Sequence, residues 1–416
     1  MNTNILPAET DIVISGAGLT GLCLASLLAR QQPSWNILLL QAAPPDDDSV
    51  TSRDAGFDHR QIVLAESSRR ILSHMGLWSD IEQHTAAIAE IRVSDRGHIG
   101  RSQLVALEQN LDAYGYVIDA AQLASLLSAA VDKLPNVQRS KVTNHFVLKP
   151  IANGMVLQEG SNSVHARLTV LANGIAPLAA QKLGIAFQCK DYGQCALTAE
   201  LTLTKAHRGI AYERFTSSGP IALLPLPDLN DSPRAALVWT LPLPEAEDLL
   251  NADEDTFIER LYVRFGQRIG PVAAVARRVV VPLARTVATE QVRNHLLLMG
   301  SSAHSLHPVA GQGFNLTLRD IATLGEVLSG IAADDGNLGN LGNLASLQLY
   351  EERRRADQAR VVAFSDVLPA VFANNNAPLS IARNLALLGL DLAPGLRNAF
   401  ARFGAGLSTR EARFND

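Results

Sequence analysis

The chain is poor in cysteine, carries no excess of positive charge and has no long apolar run. Its 416 residues include three cysteines, Cys23, Cys189 and Cys195, too few and too scattered for a disulfide framework or a metal site. Acidic residues outnumber basic ones by 41 to 36, and the net charge of −5 excludes a broad basic surface for nucleic acid. No stretch reaches the ~18 consecutive apolar residues that a membrane span needs. These absences predict a cytoplasmic protein without a metal site.

The first motif is a glycine-rich turn between two apolar segments. Residues 11–15 form a short apolar run, and Gly16, Gly18 and Gly21 follow it with the spacing G-x-G-x-x-G. With a helix-like segment next and a second apolar run at 37–40, this order predicts a βαβ unit that binds a dinucleotide. The first glycine makes the turn, the second admits the pyrophosphate and the third packs the helix on the strand. A glycine-rich turn without a ligand is the alternative interpretation.

The second apolar run ends in Gln41, where a dinucleotide-binding strand should end in an acid. Such an acid accepts hydrogen bonds from the hydroxyls of the adenosine ribose. A glutamine oxygen accepts one of these bonds without a charge, so we expect a lower nucleotide affinity.

A second glycine-rich stretch lies in the last third of the chain. Residues 296–299 are an apolar run, and Gly311, Gln312 and Gly313 precede apolar residues at helical spacing. Pro308 fixes the turn ahead of them. A helix start carries unpaired N–H groups and partial positive charge, and glycines let a ligand approach closely. The stretch therefore predicts a site for a phosphate or for the electron-rich edge of a ring cofactor.

These stretches carry a resemblance to a known family. Residues 300–317 resemble the second flavin signature of the aromatic-hydroxylase flavoproteins, the para-hydroxybenzoate hydroxylase class, in which Gly-Asp-Ala-Ala-His, His-Pro and Gly-Gln-Gly-x-Asn follow one another. Residues 91–100, 212–216 and 219–225 are similar to the ubiquinone-pathway branch, the 2-octaprenyl-6-methoxyphenol hydroxylases. The motifs occur in chain order, so the resemblance covers nearly the whole sequence.

The resemblance implies an α/β fold in three parts. A Rossmann-like FAD-binding domain with a parallel sheet is interleaved with a mixed-sheet substrate domain, and a helical region ends the chain. The alternating pattern of residues 196–243 also favours a mixed or antiparallel sheet. The expected parts are the FAD-binding domain (1–75, 101–182 and 276–332), the substrate domain (76–100 and 183–275) and the C-terminal helical region (333–416).

The resemblance also implies which residues hold FAD. Arg60 stands where the family has an arginine that contacts the flavin and its pyrophosphate. Asp119 is expected to cap a helix and to lie near the ribityl chain. Gln41, Asn173 and Ser301 replace acids of the family. The expected FAD-binding residues are Gly16, Gly18, Gly21, Gln41, Arg60, Asp119, Asn173, Gly174, Ser301, Pro308, Gly311, Gln312, Gly313 and Asn315.

A hydrophobic phenol needs a dry pocket, which an apolar sheet face over the flavin would provide. The expected pocket residues are Phe215, Leu223, Trp239 and His307. For the first three, a place in the protein core is the alternative, and residue type alone favours it.

The activity that the resemblance implies is hydroxylation of the aromatic ring of a polyprenyl phenol in ubiquinone biosynthesis. Reduced FAD takes up dioxygen, and the flavin C(4a)-hydroperoxide delivers the oxygen, so neither a catalytic side chain nor a metal is required. NAD(P)H is a candidate electron donor, although Pro177 and Ala180 stand where many relatives carry Ser and Arg. The polyprenyl tail predicts peripheral contact with the inner face of the membrane, and other quinone-biosynthesis proteins are candidate partners.

Two other functions fit the same sequence. The replaced acids at Gln41, Asn173 and Ser301 suggest a catalytically impaired flavoprotein-like subunit that serves a quinone-biosynthesis complex as a structural partner. The intact glycines argue against it. The second is a flavin reductase of prenyl double bonds, which would incorporate no oxygen into its product.

Overall fold

The computed structural model describes residues 6–42, 60–95, 101–143, 146–216, 218–306, 311–335, 340–373 and 394–408. The predictions at His307 and Pro308 lie outside these residues. The strands are β1 (Glu9–Ser15), β2 (Ile37–Ala42), β3 (Gln61–Ala65), β4 (Ala86–Ile88), β5 (Glu90–Asp95), β6 (Arg101–Val105), β7 (Gly115–Asp119), β8 (Val137–Val142), β9 (Val147–Ile151), β10 (Gly154–Glu159), β11 (Asn162–Leu171), β12 (Phe187–Leu203), β13 (Ile210–Thr216), β14 (Gly219–Leu229), β15 (Ser232–Leu241), β16 (Val272–Ala288), β17 (Val292–Arg293), β18 (Leu296–Leu298) and β19 (His304–Ser305). The helices are α1 (Leu19–Gln31), α2 (Glu66–His74), α3 (Trp78–Glu82), α4 (Ala120–Val131), α5 (Leu178–Lys182), α6 (Leu243–Asn251), α7 (Glu254–Phe265), α8 (Gln312–Asp335), α9 (Leu344–Ala373) and α10 (Pro394–Gly404).

The first sheet has a parallel core in the order β18-β11-β1-β2-β8. β1 is buried on both faces, as expected for a central parallel strand made of Ile and Val. Ile12 and Ile14 pack on the side of α1, α4 and α8, whereas Val13 packs on the opposite side with the β9 and β10 hairpin. The predicted βαβ unit is thereby confirmed.

The second sheet, the large mixed sheet, has the order β19-β16-β12-β15-β14-β13-β5-β6. Its pairs are antiparallel except for β13 with β5. On one face, here called the outer face, Leu197, Leu223 and Trp239 pack against Phe257 and Leu261 of α7. The opposite face, the inner face, is turned toward the rest of the molecule. The predicted fold class, α/β with a parallel sheet, a mixed sheet and C-terminal helices, is confirmed.

A small sheet of β3, β7 and β4 lies between the two larger ones. Val117 of β7 shares a buried cluster with Ala211, Leu226 and Ala236 of the large mixed sheet. The same cluster contains Ala401 of α10, so the small sheet and the C-terminal helix both cover the inner face.

The predicted domain division stays a prediction, but three segments lie in another sheet than the sequence suggested. β6, residues 276–288 and β19 fall within expected FAD-binding segments, whereas all three belong to the large mixed sheet. The physical reason is continuous backbone pairing: β16 follows β12 from Val272 to Ala288, and a strand leaves a sheet only where its hydrogen-bonded ladder ends.

A buried ionic network joins α8 to α9. Asp320 accepts hydrogen bonds from Arg354 Nε at 2.6 Å and from His304 Nε2 at 3.0 Å. Asp357 accepts from Arg354 at 2.6 Å and from Arg319 Nε at 2.8 Å. Burial alone would raise the pKa of the Asp320 carboxyl, but Arg354 and His304 outweigh it and lower that pKa to about 2. The network therefore stays charged at neutral pH and fixes α8 against α9.

Replacing Arg354 should cost much more than replacing its neighbour. Arg354→Met leaves Asp320 and Asp357 buried without their shared cation, so the free energy of unfolding should fall by about 3–5 kcal/mol. The control is Arg353→Met, because Arg353 is 31% exposed and pairs with Glu326 at the surface; it should cost no more than about 1 kcal/mol. Urea unfolding followed by circular dichroism measures both, and equal losses would contradict the assignment.

Candidate cofactor and substrate site

The carboxyl ends of the parallel strands meet at one edge of the first sheet. The backbone N–H of Gly16 donates to Leu40 O at 2.9 Å, and that of Ala172 donates to Ser15 O at 2.7 Å. The loops that follow β1, β2 and β11 therefore begin side by side. This edge is where open parallel sheets bind their ligands.

The three glycines of the first glycine loop, Gly16–Gly21, have different roles. A Cβ on Gly16, whose φ is +119°, would lie 2.4 Å from Ala172 O, and one on Gly21 would lie 1.8 Å from Gly16 O. These two positions must be glycine because the protein backbone passes there. At Gly18, in contrast, an added Cβ would meet no atom of the described residues within 4 Å. Gly18 is the N-cap of α1 without a side-chain cap, so its open space lies at a free helix start, as a pyrophosphate requires.

The loop after β11 adds a second open position beside the first. Gly174 has a φ of +99°, and an added Cβ there would meet nothing within 4 Å in the part of the chain that the structure describes. Asn173 Oδ1 is buried and has no hydrogen-bond partner among the described residues. Ser302 Oγ donates to Gly174 O at 2.8 Å and so ties this loop to the one that follows β18. An unpaired buried acceptor beside open space fits a ligand with hydroxyl or N–H donors.

Two residues that replace family acids lie at this edge with exposed side chains. Gln41 is exposed at the end of β2, one residue after Leu40, whose carbonyl binds Gly16. Ser301 is exposed in the short 3₁₀ turn Gly300–Ser302, whereas Ser302 is buried. Both side chains are therefore accessible for a ligand at the edge.

The second glycine loop, Gly311–Gly313, begins α8 and packs on the small sheet. Gly311 has a φ of +60°, and an added Cβ would lie 3.1 Å from Val63 Cβ. At Gly313 an added Cβ would meet no described residue within 4 Å. The helix start therefore has one glycine fixed by protein contact and one that faces open space, as in the first loop.

Asn315 and Gln312 position this helix start through contacts with protein. Asn315 Oδ1 accepts from Ala65 N at 2.8 Å and from Ser68 Oγ at 2.6 Å, and its Nδ2 donates to Val63 O and Gly311 O, both at 2.7 Å. An amide can make four such bonds, and all four are used. Gln312 Nε2 donates to Gly404 O at 3.3 Å. The Asn315 side chain thus has no free donor or acceptor for FAD and supports the helix start instead, whereas the predicted contact of Gln312 with FAD stays a prediction.

Arg60 and Asp119 lie together at the edge of the small sheet. The N–H of Ala120 donates to Arg60 O at 2.9 Å. Asp119 Oδ1 accepts from the backbone N–H of Ala121 and of Gln122 at 3.0 and 3.1 Å, which confirms the predicted N-cap of α4. The carboxylate is thus held at a helix start beside the chain segment of Arg60.

Gln61 and Glu200, which were not among the predicted residues, connect the small sheet to the large mixed sheet. Gln61 Nε2 lies 3.3 Å from Asp119 Oδ2 and 3.4 Å from Glu200 Oε1. Glu200 is also paired with Arg234 at 3.1 Å and Arg277 at 3.2 Å. The available signals were Gln61 as the one polar residue of its strand and Glu200 as the one charged residue in the alternating stretch 197–203.

The predicted substrate pocket is corrected at two positions. Trp239 and Leu223 lie on the outer face, where the Trp239 ring packs edge-on to Phe257 with 6.3 Å between centroids. Side chains alternate between the faces of a strand, so residues 213, 215, 222 and 238 point to the inner face instead. Phe215 is buried there. The inner-face residues Ala222, Leu224, Val238, Val279 and Val281 are apolar but only partly buried, as expected of a pocket lining.

A family model described as an FAD-binding domain matches residues 9–365 of the chain. Ubiquinone hydroxylase UbiL of Rhodospirillum rubrum is 32% identical, over 95% of this chain and 89% of that protein. The mitochondrial ubiquinone biosynthesis monooxygenase COQ6 of Homo sapiens is 28% identical, over 95% and 92%. The 3-demethoxyubiquinol 3-hydroxylase of Escherichia coli is also 28% identical, over 96% and 99%.

Solved structures share the fold at lower sequence identity. PqsL of Pseudomonas aeruginosa, a probable FAD-dependent monooxygenase, has a TM-score of 0.72 at 19% identity and covers 91% of this chain and 99% of its own. The p-nitrophenol 4-monooxygenase PnpA of Pseudomonas putida has a TM-score of 0.72 at 16% identity and covers 97% and 100%.

The two kinds of glycine should respond differently to alanine. Gly18→Ala places a methyl group in the space left for a ligand, so the Kd for FAD should rise at least about tenfold. The unfolding free energy of the FAD-free protein should fall by no more than about 1 kcal/mol, since only an N-cap glycine is lost. Gly21→Ala should instead destabilise the FAD-free protein by about 1–3 kcal/mol through overpacking. Flavin fluorescence titration and urea unfolding measure the two effects; a Gly18→Ala variant with unchanged FAD affinity would contradict this site.

Proposed function

This chain belongs to the FAD-binding-domain family, and we propose that it is an FAD-dependent monooxygenase that hydroxylates the aromatic ring of a phenol in ubiquinone biosynthesis. The observation that carries the proposal is the pair of open glycine positions, Gly18 and Gly313, each at the start of a long helix. The similarity to ubiquinone hydroxylases over nearly the whole chain gives the class of reaction.

The residues at the edge of the first sheet would hold the elongated cofactor. The α1 start at Gly18 suits the pyrophosphate, because its N–H groups and the helix dipole favour an anion. The exposed Gln41 would accept a bond from a ribose hydroxyl, and Asn173 Oδ1 would accept one from a donor of the cofactor. The α8 start at Gly313 would lie against the ring and favour negative charge there. When bound, FAD supplies the oxygen-transfer chemistry.

The inner face of the large mixed sheet would hold the phenol. Its partly buried apolar residues would become dry once the cofactor and the phenol cover them, and an oxygen-transferring flavin requires a dry site to avoid wasteful decay. Phe215 is buried on the same face. We infer that the natural substrate carries an apolar prenyl tail, because a surface of Ala, Leu and Val gives affinity to such a chain.

The electron donor, partners and location are further parts of the proposal. NAD(P)H is the proposed donor, and other quinone-biosynthesis proteins are proposed partners. A polyprenyl substrate would bring the protein into peripheral contact with a membrane. In the part of the chain that the structure describes, no helix combines the length and apolar character of a bilayer span.

Purified protein should contain or take up FAD and transfer oxygen to a phenol. With the bound flavin photoreduced under anaerobic conditions, mixing with ¹⁸O₂ and a short-chain prenyl phenol should give a product with one ¹⁸O atom by mass spectrometry. This design requires no natural electron donor.

Two outcomes would contradict the proposal in different ways. A folded protein that does not bind added FAD would favour the structural-partner alternative suggested by Gln41, Asn173 and Ser301. A prenyl phenol that is reduced at its double bond and gains no ¹⁸O would favour the reductase alternative.

A further inference from the structure

Glu213 lies in a row of the inner face whose other members carry no charge. In the strand register Glu213 of β13 is opposite Ala222 of β14, Ala222 is opposite Val238 of β15, and the row continues through Thr198 of β12 to Val279 of β16. These are the partly buried side chains that form the proposed phenol surface. A carboxyl group in such a row is not needed for packing and costs free energy through its desolvation.

The Glu213 carboxyl group has no hydrogen-bond or ion-pair partner among the described residues. Glu200 on the same face is different, because it is bonded to Gln61, Arg234 and Arg277. Tyr212, the preceding residue, points to the outer face and packs on Phe265 with 5.8 Å between ring centroids. Strand alternation therefore fixes Glu213 on the inner face.

Burial raises the pKa of the Glu213 carboxyl to about 7. The other charged residues on the inner face or on α9 beside it are engaged elsewhere. Glu200 forms its ion pairs with two arginines, Asp366 of α9 is bonded to Arg285, and Asp95 of β5 also has an interaction of its own. The pKa of Glu213 therefore results from desolvation and not from a neighbouring charge.

The row of Glu213 is close to the second glycine loop. Gly311 packs on Val63, and Val63 is opposite Val117 in the small sheet. Val117 shares a buried cluster with Ala211, which lies on the inner face two residues before Glu213. Two residues of a strand span about 7 Å. Glu213 thus lies two residues along the strand from Ala211, which contacts the small sheet. The small sheet in turn contacts the start of α8.

We propose that Glu213 is the general base that accepts the proton of the substrate's phenol hydroxyl. This inference rests on the proposed function. The O–H bond of the phenol breaks, its electron pair stays on the phenol oxygen, and the proton bonds to a Glu213 carboxylate oxygen. No oxidation state changes in this step, and the carboxylic acid later releases the proton to water. The resulting phenolate has a more electron-rich ring, which favours its attack on an electrophilic oxygen.

The test uses the same single-turnover assay, at pH values on both sides of 7, with the wild type, Glu213→Gln and Glu213→Asp. Wild-type hydroxylation should rise with pH through about 7, because only the carboxylate form accepts a proton. Glu213→Gln should be slower by at least about 100-fold above this pH and should lose the inflection. Glu213→Asp should keep the inflection at a lower rate. The Kd for the prenyl phenol, measured by flavin absorbance, should change by less than about threefold, under 1 kcal/mol.

The matched control is Glu200→Gln, the same chemical change on the same face of the sheet. It should keep the inflection because Glu200 is ion-paired. Wild-type rate and pH dependence in Glu213→Gln would overturn the inference, as would loss of the inflection in Glu200→Gln alone. If Glu213→Gln does not retain flavin, the test depends on Glu213→Asp. A Glu213→Asp variant that hydroxylates the phenol at the wild-type rate would then overturn the inference. If the wild type hydroxylates the phenol, an unexpected result with the variants contradicts the role of Glu213 and not the proposed function. If neither the wild type nor any variant forms product, the proposed function itself is refuted.

Discussion

The close backbone approach at Gly16 is the constraint on which the site depends. The chain turns there with Gly16 against the carbonyl of Ala172 and with Gly21 against the carbonyl of Gly16, at distances that exclude any Cβ. Because these positions pack tightly, α1 starts immediately beyond β1 and beside the loop that follows β11. The open positions Gly18 and Gly174 follow these tightly packed residues within the same two loops.

The second glycine loop is fixed by different means. Asn315 uses its whole amide to connect α8 with the small sheet and α2. Further along α8, Arg319 and Asp320 enter the buried ionic network with α9. Both devices act through side chains, and neither uses a backbone N–H group of the first turn of α8. A preorganised helix start can stabilise charge at little reorganisation cost.

The large mixed sheet separates its two faces by chemistry as well as by packing. The outer face is filled by α6 and α7, and large residues such as Trp239 are fully buried there. The inner face carries smaller apolar residues that remain partly buried, with Glu213 among them. Gln61 and Glu200 hold this face to the small sheet through hydrogen bonds. The outer face is thus fully packed, whereas on the inner face the row that contains Glu213 stays partly exposed beside the buried cluster with the small sheet and α10.

The sequence by itself determined the βαβ unit, the two glycine loops, the cap at Asp119 and the family, since each depends on residues close together in the chain. It also determined the fold class through the change from helical spacing to strand alternation. Only the tertiary structure decided which inner-face residues share a row, that Asn315 is saturated by protein groups, and that Leu223 and Trp239 point away. Alternation divides a strand into two faces but does not say which face is covered by helices. That choice, like the isolation of Glu213 and the pairing of Glu200, depends on partners tens of residues away in the sequence.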